Sequence, residues 1–518
     1  MSEISIEAPQ LADPGRLFIG GAWIEPSTSN RIRVVSPITE EVFAEVAEAV
    51  EADIDKAVRA ARVAFDTGPW PRMAPAERAA KLRAMSAALH RRSADAARAW
   101  TTQIGVPLWM AELSSPSIIG IIDYYADLID GYAFEEVRPT RAHGFEVAIV
   151  TKEAVGVVAA VAPWNAPLAA MLQKIAPALA AGCTVIAKPA PESPIEAFLL
   201  AEAAQEAGLP EGVFNLAPAD RAASDYLIRH HDVDKVSFTG STAVGRHIAE
   251  VCGSRLARAT MELGGKSPAI VLDDMDPATL GAMLAPAITL MSGQVCANFT
   301  RVLVPRSRAR DYTEALADAM ASTNVGNPLE AGVMMGPLAM KRQLDRVEGY
   351  IAQGQAEGAR IATGGKRPSH LNRGFFLEPT LFSDMTNDMV VAREEIFGPV
   401  AGVIAYDDVE DAVRIANDTI FGLSGGVFTN DTDRAYAVAR QIRTGNISQN
   451  GRGLDTAIPF GGFKQSGYGR EGGREGLEPY LEVKSIFLPK VPTHLAWSVG
   501  ETGLGISLFD QRSFHGQG

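Results

Sequence analysis

Apolar residues recur along this chain with two different spacings, and the change falls near residue 155. Before it, Ile54, Ala57, Val58, Ala61 and Phe65 are spaced to share one face of a helix. Asp53 stands where an N-cap is expected, and Gly68-Pro69 ends the segment. Pro75 opens a second helical stretch with Leu82, Met85 and Leu89 on one side. Beyond residue 155, short apolar runs (VGVVAAVA, TVIAK, VFNLA and KVSFT) alternate with Ala/Leu-rich stretches such as residues 195–207. These runs lack the alternating polar positions of a half-exposed strand, so both faces are read as buried. That is the pattern of parallel strands joined by crossover helices. A further strand begins at Ser267 (SPAIVLDD), and the alternation continues to about residue 445, which predicts a second α/β domain. No internal repeat or low-complexity tract interrupts it.

At 518 residues the chain exceeds one ordinary core, so two or three domains are expected. A net charge of −14, from 62 acidic and 48 basic residues, argues against nucleic acid or an anionic membrane as partner. It leaves a small substrate in a pocket open. Three cysteines (Cys183, Cys252 and Cys296) are too few for a disulfide framework. The opening MSEISIEAPQL lacks the basic and apolar regions of a secretory signal. No apolar run reaches the roughly 18–20 residues of a membrane span. The richest stretch, residues 155–187, is broken by Trp164-Asn165, Pro167, Gln173-Lys174 and Pro177. A cytoplasmic protein with reduced thiols is the expectation. Residues after about Lys490 read as an appended tail.

Candidate chemistry gathers at strand ends. In residues 236–246, Gly240 permits a tight turn, and Ser241 and Thr242 can cap the helix that follows. Backbone N–H groups and the helix dipole there suit a phosphate, although an ordinary capped turn has the same look. Lys188, just past TVIA, can reach a ribose or phosphate or simply face solvent. Cys296 sits among small and polar neighbours after a helical stretch, which suits a thiol presented at a turn; Cys183 and Cys252 are better read as packing. Glu262 is a lone acid in an apolar, Gly-rich segment, a setting for a general base of raised pKa or for a plain turn. Asn165 follows the strand VGVVAAV and can cap a helix or offer its amide to an oxyanion.

Together, and in this order, the segments PWN (163–165), KPA (188–190), FTGSTAVGR (238–246), MELGGKSP (261–268), GQVCANFTR (293–301), EEIFGPV (394–400) and PFGGFKQSGYGRE (459–471) resemble the aldehyde dehydrogenase superfamily. The resemblance covers about residues 20–488. It implies an α/β fold with a Rossmann-type cofactor domain (1–135 and 155–262) and an α/β catalytic domain (263–477). A small β oligomerisation arm (136–154 and 478–492) completes it, followed by the tail 493–518, with homodimers or homotetramers usual. The resemblance assigns Cys296 as nucleophile and Glu262 as general base. Asn165, with the Cys296 backbone N–H, becomes the oxyanion hole, and Lys174 and Glu471 carry protons from the base. Gly240 and Ser241 meet the pyrophosphate, Lys188 and Glu395 bind ribose hydroxyls, and Phe397 packs near the nicotinamide ribose. Trp164, Gly245 and Leu263 complete the cofactor site. No metal is expected. The implied reaction is oxidation of an aldehyde to an acid through a cysteine thioester, with NAD as cofactor.

Two departures bear on specificity. The family often has a carboxylate three residues after the lysine of KPA, a bar to the 2′-phosphate of NADP; here Pro191 stands there and Glu192 follows, so NADP use is also expected. Ala166, Ala169 and Ala170 stand where relatives carry bulkier side chains, with Val295 and Ala297 beside the nucleophile and Leu454 and Phe460 on the opposite wall. These predict a roomy apolar tunnel for medium-chain, aromatic or terpenoid aldehydes. Arg452, near the mouth, is either a solvated loop residue or a partner for a semialdehyde's carboxylate. A CoA-acylating relative typically lacks the base that Glu262 supplies. An inactive structural relative would have little reason to keep Cys296, Glu262 and Asn165 together.

Overall fold

A computed structural model describes residues 6–493 and 495 of the chain. Its first sheet has eight strands, five of them parallel and central. Across the sheet these five lie in the order Arg258–Glu262, Lys235–Thr239, Val157–Val161, Thr184–Lys188, Phe214–Leu216. Chain order therefore reverses between Val157–Val161 and Lys235–Thr239, and an open α/β sheet accepts ligands beyond the carboxyl ends of its strands at such a reversal. Val157–Val161 and Thr184–Lys188 are buried at every position. Helix Pro167–Ala181 and helix Ile195–Glu206 cross between the first three of these strands in the chain. The continuous apolar runs of the sequence are thus strands covered on both faces.

Two edges of this sheet are antiparallel and come from distant parts of the chain. Leu17–Ile19 and Ala22–Ile24 extend one side, and Gly467–Tyr468 pairs with Arg258–Glu262 on the other. The second of these brings the segment around Glu471 to the first sheet, a crossing that local periodicity does not encode.

The second sheet has seven strands in the order Arg360–Thr363, Thr380–Ser383, Val400–Tyr406, Phe299–Pro305, Ser267–Val271, Gly426–Phe428, Ser448–Gln449. All neighbours are parallel except the first pair. A separate antiparallel sheet joins Glu135–Pro139, Val147–Ala154 and Leu481–Leu488, with the last strand on an edge.

The first helix runs Glu51–Asp66 and buries Ile54, Ala57, Val58 and Ala61 against the first sheet. Asp53 is its third residue and not its N-cap, which is Val50. The carboxylate reaches back to the Val50 N–H (3.3 Å) and accepts the Ser27 hydroxyl (2.6 Å), so its sequence position just ahead of the apolar face misplaced the helix start by one turn. Helix Pro75–His90 buries Leu82, Met85 and Leu89. Among the described residues no helix is long and apolar enough to cross a membrane. The expected tail, 493–518, lies outside the described residues apart from 493 and 495.

Candidate active site

Cys296 follows a backbone segment that few residues adopt. Met291 and Ser292 both have positive φ (50° and 56°), and Gly293 continues at 72°. For non-glycine residues this region costs of order 1 kcal/mol each, so the surroundings must hold it. The Ser292 hydroxyl is aimed at the Gly336 and Pro337 carbonyls (2.8 and 3.0 Å). Gly293 lies so close to the Gly398 carbonyl that a Cβ would overlap it. Beyond Gly293 the chain turns, Asn298 N–H bonding to the Val295 carbonyl (3.1 Å), and Cys296 opens on the cleft. Cys183 and Cys252 are buried in the core clusters of the first sheet, as packing residues are. The Cys296 thiol is pushed up to about 12 by burial first, then by the charges of Glu395 and Glu262; Arg452 and the Ala297 N–H oppose this.

The Asn165 amide donates to the Gln294 carbonyl at 2.8 Å. An amide nitrogen carries two hydrogens, so one remains. The Asn165 carbonyl accepts the Trp100 indole N–H (2.8 Å), which fixes its backbone. Among the described residues the Cys296 N–H has no acceptor. One amide hydrogen and one backbone N–H are thus free beside the thiol, the donor pair that an oxyanion requires.

Glu262 ends its strand opposite Thr239 in register. It is buried, and both carboxylate oxygens lack partners. Gly461 makes room for it, since a Cβ there would stand 2.6 Å from Oε1. Burial first, then the charge of Glu471, hold its pKa well above the usual carboxylate range. Lys174, fully buried on helix Pro167–Ala181, donates to Glu471 (2.6 Å) and to the Thr239 hydroxyl (2.5 Å). Phe460 and Glu471 exchange backbone bonds of 2.7 and 2.8 Å, which sets Glu471 beside the lysine.

The cleft at the strand-order reversal has the features of a dinucleotide site. Ser241 caps helix Thr242–Ser254, its hydroxyl accepting the Val244 N–H (3.4 Å). The Gly240 N–H bonds the Glu262 carbonyl (3.0 Å), tying the turn to the acid's strand. Leu263 packs against Gly245, where a Cβ would overlap it, so these two residues seat the helix against the sheet. Lys188 is buried at its strand end, its ammonium without a hydrogen-bond partner among the described residues, and burial lowers its pKa to about 8. Glu395 accepts the Gly265 N–H (3.1 Å) with one oxygen, and burial raises it to about 7. Trp164 and Phe397 meet edge to face at 5.3 Å. An unpartnered lysine, a half-engaged carboxylate and a capped helix end fit the ribose hydroxyls and pyrophosphate of a dinucleotide.

A profile of the aldehyde dehydrogenase family matches residues 23–486. The chain belongs to this family. It is 42% identical over 477 residues to a geranial dehydrogenase of Castellaniella defragrans, covering 92% of this chain and 99% of that one. A Mycobacterium tuberculosis aldehyde dehydrogenase solved with NAD+ superposes with a TM-score of 0.90 at 43% identity, over 93% of this chain and 100% of the other. A Pseudomonas syringae aldehyde dehydrogenase solved with NAD+ and octanal gives 0.89 at 37% identity, over 94% and 99%.

In this aldehyde dehydrogenase the tunnel residues are only partly where the sequence suggested. Trp164, Ala166 and Val295 join one apolar cluster with Trp100, Met110 and Ile118. Along helix Pro167–Ala181 every residue is buried except Ala169, Ala170 and Gln173. With Ala166 ahead of the helix, these follow the three-to-four spacing of one face, which is therefore the open side. Gln173 was missed; its amide oxygen is buried and unpartnered, and its place one turn beyond Ala169 was the available signal. Ala297 is buried beside the thiol, and Phe460 is half-buried. Leu454, expected on the opposite wall, is 63% exposed in the loop after Ser448–Gln449. Arg452 is half-buried, and not a freely solvated loop residue. It makes no ion pair or hydrogen bond among the described residues.

A surface groove of about 950 Å³ lies at the carboxyl ends of the second sheet and does not include Cys296. Its five arginines are each paired with an acid, which accounts for their presence there.

Proposed function

We propose that this enzyme oxidises apolar medium-chain, aromatic or terpenoid aldehydes to carboxylic acids, with Cys296 as nucleophile and NAD as cofactor. The observation that carries the reading is the convergence on one cleft of the Cys296 thiol, two free N–H donors and the unpartnered Glu262 carboxylate. Cys296 adds to the aldehyde carbonyl, and its own N–H and the Asn165 amide hold the resulting oxyanion. NAD, when bound, supplies the hydride acceptor that no side chain offers. Ser241 and the Gly240 turn would hold its pyrophosphate, Lys188 and Glu395 its ribose hydroxyls, with Trp164 and Phe397 framing the site. The acyl chain is left on Cys296 as a thioester. Glu262 then takes a proton from water, which attacks the thioester and releases the acid, while Lys174 and Glu471 pass that proton outward.

The small side chains at 166, 169 and 170 support the substrate class, as do the geranial-oxidising relative and the neighbour that holds octanal. NAD is favoured over NADP because the solved relatives hold NAD+, although Glu192, the carboxylate nearest the usual barring position, is paired with Arg342. We place the enzyme in the cytoplasm, as a dimer or tetramer assembled through the three-stranded sheet. A second reading, a semialdehyde held by its carboxylate, rests on the half-buried and unpaired Arg452.

The test is NAD(P)H formation followed at 340 nm with octanal, geranial, benzaldehyde and succinic semialdehyde. Apolar aldehydes should give the highest kcat/KM, and Cys296→Ala should abolish turnover while cofactor still binds. Turnover by that variant would refute the nucleophile. Preference for the semialdehyde, lost in Arg452→Leu, would select the second reading.

A further inference from the structure

The Asn165 amide and the Cys296 loop are joined through one residue that the proposed chemistry does not touch. Gln294 is buried, at 1% exposure, and all four of its polar groups are engaged. Its backbone carbonyl accepts the Asn165 amide at 2.8 Å. Its side-chain Nε2 donates to the Met291 carbonyl at 3.1 Å, the carbonyl that the Gln294 backbone N–H also reaches at 3.1 Å. Its Oε1 accepts the Ala339 N–H at 2.9 Å. Residues 336–339 form a fixed support: Ser292 bonds Gly336 and Pro337, and Gly105 abuts Pro337 closely enough that a Cβ would stand 2.7 Å from its ring.

We infer that Gln294 is a positioning residue for the oxyanion hole, whose side chain fixes the carbonyl that aims the Asn165 amide. The physical reason lies in the backbone before it. Met291, Ser292 and Gly293 are all left-handed, a conformation that isolated non-glycine residues leave readily. The side chain closes this segment on both sides, to Met291 within it and to Ala339 across from it. Without those two bonds only the Gln294 N–H still ties the segment to Met291; the Gln294 carbonyl gains freedom to rotate, and Asn165 loses a fixed acceptor to separate its bound hydrogen from its free one. An amide turned the other way would present its oxygen to a developing oxyanion, a repulsive arrangement.

This inference rests on the proposed roles of Asn165 and Cys296, and a double-mutant cycle separates the two. The measured quantity is single-turnover NADH formation with octanal, for wild type, Gln294→Met, Asn165→Ala and the double variant. Methionine keeps the length and loses both bonds. Gln294→Met should lower the rate about 10- to 100-fold, less than the roughly 10²- to 10³-fold loss of an oxyanion donor itself, with the KM for NAD unchanged. In the Asn165→Ala background the same change should cost less than about threefold, because its target is gone. Additive losses would overturn the role of Gln294. A wild-type rate in Asn165→Ala would instead overturn the oxyanion reading itself. Should Gln294→Met fail to fold, Gln294→Glu, which keeps the acceptor for Ala339, enters the same cycle and is read in the same way.

Discussion

Glu262 and Cys296 each oppose the ionisation of the other. The thiol is raised by burial, then by the carboxylates of Glu395 and Glu262, while Glu262 is raised by its own burial and by Glu471. Raised acids are protonated over a wider pH range, so thiolate forms more readily while Glu262 is neutral, and Glu262 becomes a base only as pH rises. Replacing Glu262 by Gln removes one of the charges that raise the thiol. The pH midpoint for alkylation of Cys296 by iodoacetamide should therefore fall in Glu262→Gln; a midpoint that rises or stays would mean the two groups do not interact. The same variant should release a first equivalent of NADH and then stall, with steady-state turnover down about 10²- to 10⁴-fold, the usual contribution of a general base. Local texture marked Cys296 and Glu262 (a thiol at a turn, an acid in an apolar run), but each setting also suited a plain structural role, and it was the resemblance of the surrounding motifs that assigned them a chemistry. Gln173 and Arg452 were harder, because their significance lies in what they fail to contact, and a sequence records no missing partner.

At the scale of elements, the strands announced themselves and so did two helix starts, at Pro75 and at the Ser241 cap, whereas the start at Asp53 was misplaced. An unbroken apolar run has one economical reading, a strand covered on both faces, and the strands of the first sheet fall where the runs do. Asp53 misled because an acid in the first turn serves from the third position as well as from the cap. The turn at Gly240 and Ser241 carries a testable consequence. Helix Thr242–Ser254 offers its positive end to the proposed pyrophosphate, and Ser241 both caps it and stands there. Aspartate caps as well as serine does, so Ser241→Asp should leave the melting temperature within about 2 °C of wild type, a change of under 1 kcal/mol. Its charge would face a phosphate, and the Kd for NAD should rise at least about tenfold, equivalent to about 1.4 kcal/mol. Unaltered NAD binding would place the pyrophosphate elsewhere.

For the whole molecule, the site is assembled from segments far apart in the chain. Asn165 and Glu262 come from the first sheet, Cys296 and Glu395 from the chain that builds the second sheet, and Glu471 from a segment that returns to pair beside the first sheet. No local pattern encodes that return; only the order of the motifs does. The same late stretch of chain continues into Leu481–Leu488, an edge strand whose outer row of backbone groups has no strand partner among the described residues. Val483 is 66% exposed on it, Phe487 is 46% exposed, and Phe145 lies against Phe487 at 5.7 Å. The strand's charged residues, Glu482 and Lys484, are paired with Arg258 and Glu153, which leaves Val483 and Phe487 as an apolar edge, a template for another chain. If subunits assemble through this sheet, Val483→Lys with Phe487→Asp should lower the sedimentation coefficient toward that of a monomer of 55.1 kDa. The cleft is built without residues of the arm, so NADH formation per chain should persist in the dissociated protein. Retention of the wild-type oligomer in the double variant would move the interface to another face.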